Sequence, residues 1–470
     1  MGALEGPAAM TRRIAIFGAG MAGLSAAAEL ARAGHEVHVY ESSPYVGGLA
    51  ASFTTQRGLR YDLGPHYIFS SLARSLGIEA ECAPVPYYEG IYFRGKEHLF
   101  PFGLARYADI VTGVGFALLR RLFPRPLRSL SDFFVTFYGR CFAERILIPL
   151  IEKWSGEPAG GLSLNFAYRF LPPTPGYILD SLIKRLRGGT TEDYYQPGRI
   201  IVAPHNGCAS LWRSLLATPR LSLHLDTPLF GLTAAGNTIV GARVGNQAIE
   251  ADAYVSTVPL TMLARLLNAR EAVGWARLKY RGLRLLVLEV ARPKLLRHLW
   301  TWFPEGRFPF YRIAEYRQGT GTNGGGSAPD PAVGALRGST VVSLEFGYDP
   351  EASAPTSAEE LLRVAMPFLE ELYALRKDEI LSAALHESPA AYPVSRKATA
   401  DVEQLLGHAT PFENLFLAGR TGLFRYSMLE GTYKSGKSCA AAVTARLEGR
   451  MVRNDPIPRD RWGVPRLIPE

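Results

Sequence analysis

Two groups of residues, near opposite ends of the chain, have types and spacings that could do chemistry. The first is Gly18-Ala19-Gly20-Met21-Ala22-Gly23, with Glu41 and Ser42 downstream and then the pair Gly47-Gly48, followed by Leu49. Glycines at this spacing suit a dinucleotide. Gly18 permits a tight strand-to-helix turn, Gly20 lets backbone approach a pyrophosphate, and Gly23 lets helix and strand pack closely. Free N–H groups and the positive end of the helix then face the phosphates. Glu41 falls about 20 residues after the turn, where a carboxylate accepts hydrogen bonds from an adenosine ribose. An acid there disfavours a 2′-phosphate, so FAD or NAD is expected before NADP.

The second group is Gly419-Arg420, at the end of the apolar run Asn414–Ala418, with Arg425, Tyr426, Met428 and Leu429 after it. A helix from about Gly431 to Leu447 would point its N-terminus back at that strand end. Its positive end would stabilise an anionic reduced flavin ring. Between the two groups lies Tyr61–Phe69, with Gly64-Pro65-His66 at its centre. Gly-Pro breaks a strand and lets backbone pass close to a flat ligand; the alternative is a tight turn with an exposed histidine.

The elements that must position these residues follow from periodicity and punctuation. Ile14–Phe17 and Val37–Tyr40 read as strands on either side of an Ala-rich helix, Leu24–Arg32, which Gly34 stops. Ser52–Thr55 reads as a short strand. Residues from about 76 to 195 read as mostly helical: a hairpin at Tyr87–Phe102, then helices at Leu104–Leu122 and Leu130–Lys153. A β-rich pattern returns at 199–258. It comprises Ile200–Ala203, a helix at Leu211–Ala217, and strands at Leu221–Leu225, Leu229–Ala234, Thr238–Val244, Ala248–Ala251 and Ala253–Thr257. Leu283–Val290 and Val341–Phe346 read as strands and Ala358–Arg376 as an amphipathic helix. Trp300, Trp302, Phe303, Phe308, Phe310 and Tyr311 crowd a short region that is either core or the lining of a cavity. Gly188–Gly198 and the Gly/Ser/Pro-rich Gly319–Gly334 read as loops.

The glycine pair Gly47-Gly48 resembles the extended first motif of the two-dinucleotide-binding-domain flavoproteins, in which it approaches the FAD pyrophosphate; this favours FAD over NAD. In that family an arginine often follows the pair, and here Leu49 stands in its place. Asp62-Leu63-Gly64-Pro65-His66-Tyr67-Ile68-Phe69 resembles the stretch that runs by the flavin ring in protoporphyrinogen-oxidase-like flavoproteins and UDP-galactopyranose mutases. Met428-Leu429-Glu430-Gly431-Thr432 through Ala441 is similar to the C-terminal motif of the flavin amine oxidase superfamily, which includes protoporphyrinogen oxidases and carotenoid desaturases. No cysteine precedes Met428, so the resemblance implies non-covalent FAD. Gly419–Tyr426 also resembles a mutase stretch in which the first arginine, here Arg420, contacts an FAD phosphate and tyrosines reach the substrate diphosphate. Phe424 replaces one of those tyrosines, and Ser427-Met428-Leu429-Glu430 replaces the mutase continuation. An apolar residue packs on the adenine in the family, and Leu229 is the nearest match.

These resemblances imply an α/β fold: a Rossmann-type FAD-binding domain with a discontinuous α+β substrate domain. The FAD-binding parts would be 10–75, 199–259 and 409–450. A helical substrate-domain insertion would occupy 76–198, the rest of the substrate domain 260–408, and a tail 451–470. The favoured chemistry is hydride transfer from a small organic substrate to flavin N5, with O₂ or a quinone restoring the ring. His66 and Tyr426 would be polar groups facing the substrate. One alternative is a nucleotide-sugar mutase working through reduced FAD, with Arg425 and Tyr426 holding the diphosphate. A flavin-binding escort or sensor without turnover is the other.

The 470-residue chain is long enough for two domains, and 47% hydrophobic with 20% charged residues describes a folded globular protein. A net charge of +9 favours anionic partners, but no basic block or aromatic-basic repeat marks a nucleic-acid surface. Cys82, Cys141, Cys208 and Cys439 show no CxxC pair and no metal-ligand spacing. They read as reduced thiols of a cytoplasmic protein, and no metal is expected. The N-terminus shows no signal-peptide pattern, and Met10 could be the start. The longest apolar run, Ile110–Leu119, is half a membrane span. The stretch 116–130 carries Arg120, Arg121, Arg125 and Arg128 among apolar residues. It reads preferentially as a solvated basic face on a core helix, and alternatively as a peripheral contact at the inner membrane face.

Overall fold

The strand Arg13–Phe17 is buried along all but its first residue, which requires layers on both faces of its sheet. It pairs in parallel with Glu36–Tyr40 on one side and Ala253–Ser256 on the other. Leu221–His224 and Leu415–Leu417 complete a five-stranded parallel sheet. The computed structural model describes residues 11–85, 88–123, 125–170, 200–267, 270–316, 338–454, 459–460 and 464. The loops expected at 188–198 and 319–334, residues 1–9 and most of the tail lie outside them.

One face of this sheet carries the helix Met21–Arg32, and Leu429–Leu447 packs across that helix. Their backbones nearly touch: a Cβ on Gly436 would fall 1.9 Å from Ser25 Oγ and 2.3 Å from the Ala22 carbonyl oxygen. The other face is covered by an antiparallel meander, Leu229–Ala235, Thr238–Val244 and Gln247–Ile249, through Leu229, Leu232, Ile239 and Ala242 against Ala15 and Phe17. The result is the mixed α/β, Rossmann-type architecture expected from the glycine motif.

A second sheet of seven strands runs in the order Ile380–Pro393, Tyr280–Val290, Thr340–Tyr348, Arg312–Tyr316, Trp300–Trp302, Glu89–Phe93, Lys96–Phe100. The last two strands are a hairpin inside the segment expected to be mostly helical, so that segment also builds the substrate-side sheet. Ile380–Pro393 does not look like a strand in sequence. It is an edge strand, half exposed, with Pro389 at an irregularity in the pairing, where a missing N–H costs no ladder bond. The helix Ala358–Tyr373 covers one face over Leu286, Leu288, Ile313, Leu344 and Phe346. Phe303, Phe308 and Phe310 join that core, whereas Trp300, Trp302 and Tyr311 belong to clusters on the other side.

Helices Ala108–Arg120 and Leu130–Tyr138 form a subdomain beside the hairpin. The helix expected over 130–153 is interrupted at Gly139, where φ is +83° and a Cβ would sit 2.2 Å from the Gly113 carbonyl oxygen. Close approach of two backbones, which only glycine permits, overrides helical periodicity there. The first helix ends at Arg120; between Val111 and Phe123 apolar side chains face outward, and Arg120, Arg125 and Arg128 are exposed with them. Among the described residues no helix is long and apolar enough to cross a membrane.

Candidate functional site: a dinucleotide cradle and an aromatic cluster

Gly18 turns the chain out of the first strand at φ +107°, and a Cβ there would fall 2.1 Å from Thr257 Oγ1. A Cβ on Gly23 would lie 1.9 Å from the Gly18 carbonyl oxygen, so helix and turn pack as the spacing requires. Gly20 caps the helix without a side-chain bond, and the first turn holds no acid. The N–H groups of Met21, Ala22 and Gly23 are thereby left for an anion. Gly47 closes the cradle from the opposite side, donating its N–H to the Ala19 carbonyl (2.9 Å) and bridging to Gly20. Gly47 and Gly48 both have positive φ, and a Cβ on Gly47 would collide with Trp212 Nε1 at 2.7 Å. That indole N–H is itself buried with no acceptor among the described residues.

Glu41 is buried at the strand end. Its Oε2 accepts from Ala19 N (2.8 Å), and its Oε1 accepts from Ser43 N (2.9 Å) and Ser42 Oγ (3.1 Å). A carboxylate has about four lone-pair sites, so the fold occupies three and leaves room for one ribose hydroxyl. Leu229 is buried, and its segment is tied to the same acid by Thr227 N donating to the Glu41 carbonyl (2.7 Å).

At the other end, Gly64 (φ +111°) opens toward His66 and Glu345: a Cβ there would lie 3.4 Å from His66 Cε1 and 3.9 Å from Glu345 Oε1. Pro65 and His66 are half-buried beside it. Burial, followed by the cations Arg420 and Arg312, depresses the His66 pKa to about 3. The ring is neutral, and its Nδ1 is buried with no partner among the described residues. Asp62 is pushed up to about 6 by burial, against hydrogen bonds from Ser52 Oγ (2.5 Å) and Cys208 N (3.2 Å). Asp62, His66 and Cys208 offer ligand atoms within 4.8 Å of one another. Burial raises the Cys208 thiol well above its ordinary value, and a protonated thiol is a poor metal ligand.

The seven-stranded sheet turns a polar face toward this point. Trp302, Arg312 and Glu345 stand in cross-strand register. Arg312 Nε (3.0 Å) and Nη2 (2.5 Å) both donate to Glu345 Oε1, and the guanidinium lies 4.7 Å from the Trp302 ring centre. Tyr392 and Tyr426 lie nearly parallel with ring centres 6.0 Å apart, flanked by Trp154, Phe166 and Leu49. Arg420 holds its guanidinium 4.6 Å from the Tyr426 ring and donates twice to the Ser427 carbonyl, at 3.0 and 2.6 Å. Gly419 (φ +80°) permits the close approach to Ala22, where a Cβ would meet Ala22 Cβ at 2.8 Å. Met428 begins the helix Leu429–Leu447, whose first turn carries the buried Glu430, an acceptor from Ser71 Oγ (2.8 Å).

The structure therefore gathers His66, Arg420 and Tyr426 at one end and Gly18 to Gly23, Glu41, Ser42, Gly47 and Gly48 at the other, with Leu49 between. The Arg425 guanidinium donates to the Leu406 carbonyl (2.6 Å) and so ties two loops together. Arg312, Glu345 and Tyr392 escape a motif search because they belong to no local pattern. The one sequence signal is Glu345 and Ser343 alternating with Val342, Leu344 and Phe346 in a strand otherwise apolar. Two buried ring nitrogens without a partner among the described residues, a helix start at Gly20 without a side-chain cap and a cradle in which several positions exclude any Cβ all fit a long nucleotide cofactor with a flat ring.

The family model of flavin-containing amine oxidoreductases matches residues 21–444 of the chain. Zeta-carotene desaturase of Zea mays is 47% identical over 57 residues, which are 12% of this chain and 10% of that protein. Hydroxysqualene dehydroxylase of Rhodopseudomonas palustris is 42% identical over 78 residues, 15% of this chain and 19% of the relative. The chain thus spans under a fifth of the length of either. The crystal structure of reduced UDP-galactopyranose mutase superposes with a TM-score of 0.72, covering 93% of this chain and 97% of the other at 18% identity. At that identity the likeness is one of fold.

Proposed function

The chain belongs to the flavin-containing amine oxidoreductase family, and from that premise we propose that it is an FAD-dependent oxidoreductase acting on an apolar, unsaturated substrate. The carrying observation is the aromatic cluster of Tyr392, Tyr426, Trp154 and Phe166, packed with Leu49 beside the ring end of the cradle. Bound FAD supplies a hydride acceptor at N5.

In this reading the chain's own residues bind, orient and keep water out. The glycine turn and Gly47-Gly48 hold the pyrophosphate, Glu41 holds the ribose, and the N-terminus of the helix Leu429–Leu447 turns its positive dipole end toward the ring's electron-rich edge. The ring-end groups are poorly placed for acid–base work. His66 is neutral far below pH 7, and Glu345 is already paired with Arg312. A substrate that loses a hydride from a C–H beside a double bond makes little demand on such groups. The names of the desaturase and dehydroxylase relatives favour an isoprenoid-like hydrocarbon, and O₂ or a quinone is the acceptor class that completes the cycle.

The nucleotide-sugar mutase alternative would need Arg425 to turn to a diphosphate, whereas its guanidinium donates to the Leu406 carbonyl. One experiment separates the readings: anaerobic mixing of FAD-loaded protein with detergent-dispersed isoprenoid polyenes, following the oxidised flavin band. Bleaching that reverses on admitting air or quinone supports the proposal. No bleaching, with saturable perturbation of the reduced flavin by UDP, moves the assignment to the mutase. No response to either leaves the escort or sensor.

A further inference from the structure

We propose that the outward face of the helix Ala108–Arg120 and the turn after it docks on an anionic lipid bilayer. Six of the large apolar residues exposed in the described structure fall between Val111 and Phe123: Val111, Phe116, Leu118, Leu119, Leu122 and Phe123. Their exposure runs from 39% at Leu118 to 78% at Phe123. At 3.6 residues per turn, Val111, Gly115, Leu118 and Leu122 line up, with Thr112, Phe116, Leu119 and Phe123 alongside. A helix on a water-facing surface puts its apolar stripe inward. Here the buried residues are Ile110 and Ala117, and a broad apolar face with one threonine looks out.

The charges beside this face select the occupant. Arg120, Arg125 and Arg128 are exposed at its edge and beyond its end. Of the acids nearest in sequence, Asp109 is taken up by Arg94, Arg145 and Cys141, whereas Asp132 accepts from the Arg128 backbone N–H and lies beside that arginine, which leaves Arg120 and Arg125 without an acidic partner among the described residues. Exposed apolar residues bordered by unneutralised arginines match the acyl boundary and headgroups of a bilayer with anionic lipid. A second copy of the chain fits poorly, because an isologous pair would bring two sets of these arginines to one interface without added acids to match them. Ile110, on the inward side, shares one apolar cluster with Trp154, Trp302 and Tyr426, so the surface and the aromatic cluster lie on one subdomain.

The docking does not depend on the substrate reading, and its test reads binding alone. Full-length, FAD-loaded protein is floated with vesicles of phosphatidylcholine and with vesicles containing one third phosphatidylglycerol, at low and high salt. Flotation with the anionic vesicles, reduced by salt, is expected. The double variant Leu122→Asp/Phe123→Asp should bind about tenfold more weakly or less, with an unchanged flavin spectrum and thermal midpoint. Arg120→Gln/Arg125→Gln/Arg128→Gln should lose the advantage of anionic lipid while keeping weak binding to neutral vesicles. The proposal is overturned by failure to float with either vesicle or by flotation indifferent to the Asp substitutions. A solution dimer that the same substitutions dissociate would also overturn it.

Discussion

Arg312 and Glu345 face each other across adjacent antiparallel strands, and both Arg312 nitrogens donate to a single oxygen, Oε1. The second oxygen, Oε2, is buried without a partner among the described residues. Burial would lower the arginine's pKa, but Glu345 together with Tyr392 and Tyr311 more than offsets this and raises it. The arginine thus stays protonated in a dry place, beside the turn that carries Gly64 and His66.

Such a pair tolerates joint removal better than single removal. Arg312→Met or Glu345→Gln alone should destabilise the protein by about 3–5 kcal/mol, because each leaves the other group buried and unmatched. Arg312→Met/Glu345→Leu should recover much of that loss. Urea denaturation of the four proteins checks it, and strictly additive losses would refute the coupling.

Stability should depend on pH through two groups of opposite sign. His66 has a folded pKa of about 3 against an ordinary 6.5, so the unfolded chain takes the proton first and stability is lost as pH falls below 6.5. Asp62 has a folded pKa of about 6 against 3.8, so its contribution is present in full below 3.8 and is lost as pH rises through 6. Each is worth on the order of a few kcal/mol. Between pH 7 and 4, His66→Phe should flatten the decline in the urea midpoint and Asp62→Asn should steepen it. Parallel profiles for all three proteins would contradict both assignments.

The cradle should reject any side chain at its close contacts. Gly23→Val places a Cβ 1.9 Å from the Gly18 carbonyl oxygen. Overpacking of this kind costs about 1–3 kcal/mol or more, and FAD should be largely lost on gel filtration. Gly34→Ala is a contrasting control. Its position is open, so only backbone strain at φ +95° applies and FAD should be retained. Equal FAD content in the two variants would count against the cradle.

Glu41 both braces the glycine turn through Ala19 N and has a lone pair left for the ribose. Glu41→Gln keeps the shape and removes the charge, so FAD affinity should fall about tenfold or more. Fluorescence quenching on FAD titration measures it, and unchanged affinity would remove the ribose from Glu41.

Arg425 and Tyr426, adjacent in sequence, should separate in function. Tyr426→Ala removes the ring stacked on Tyr392 and should weaken binding of an apolar ligand at least about tenfold while FAD stays bound. Arg425→Ala breaks the strap to Leu406 and should lower the thermal midpoint with ligand binding unchanged. Spectral titration and thermal melts of the FAD-loaded variants test the pair. A ligand-binding defect in Arg425→Ala with normal stability would restore it to the site.

The nucleotide end was legible in the chain itself because its parts are neighbours in sequence. Glycines at 18, 20 and 23, the acid at 41 and the pair at 47 and 48 all act within one strand–helix–strand unit, where local sterics and hydrogen-bond needs are encoded at fixed spacing. The C-terminal helix and the meander could be read for the same reason. What only the tertiary structure decided is the ring end. Arg312 meets Glu345, Tyr392 meets Tyr426, and Asp62 meets Cys208 through sheet register and domain packing, none of which leaves a periodic trace. The direction of a side chain is equally invisible: Arg425 reaches the Leu406 carbonyl, and Tyr426 stacks on Tyr392. Helix Ala108–Arg120 presents its apolar side outward because the narrow contact made by Ile110 and Ala117 faces the core. Hydrophobic periodicity shows that a helix has an apolar face, but which way that face turns depends on what packs on the other side.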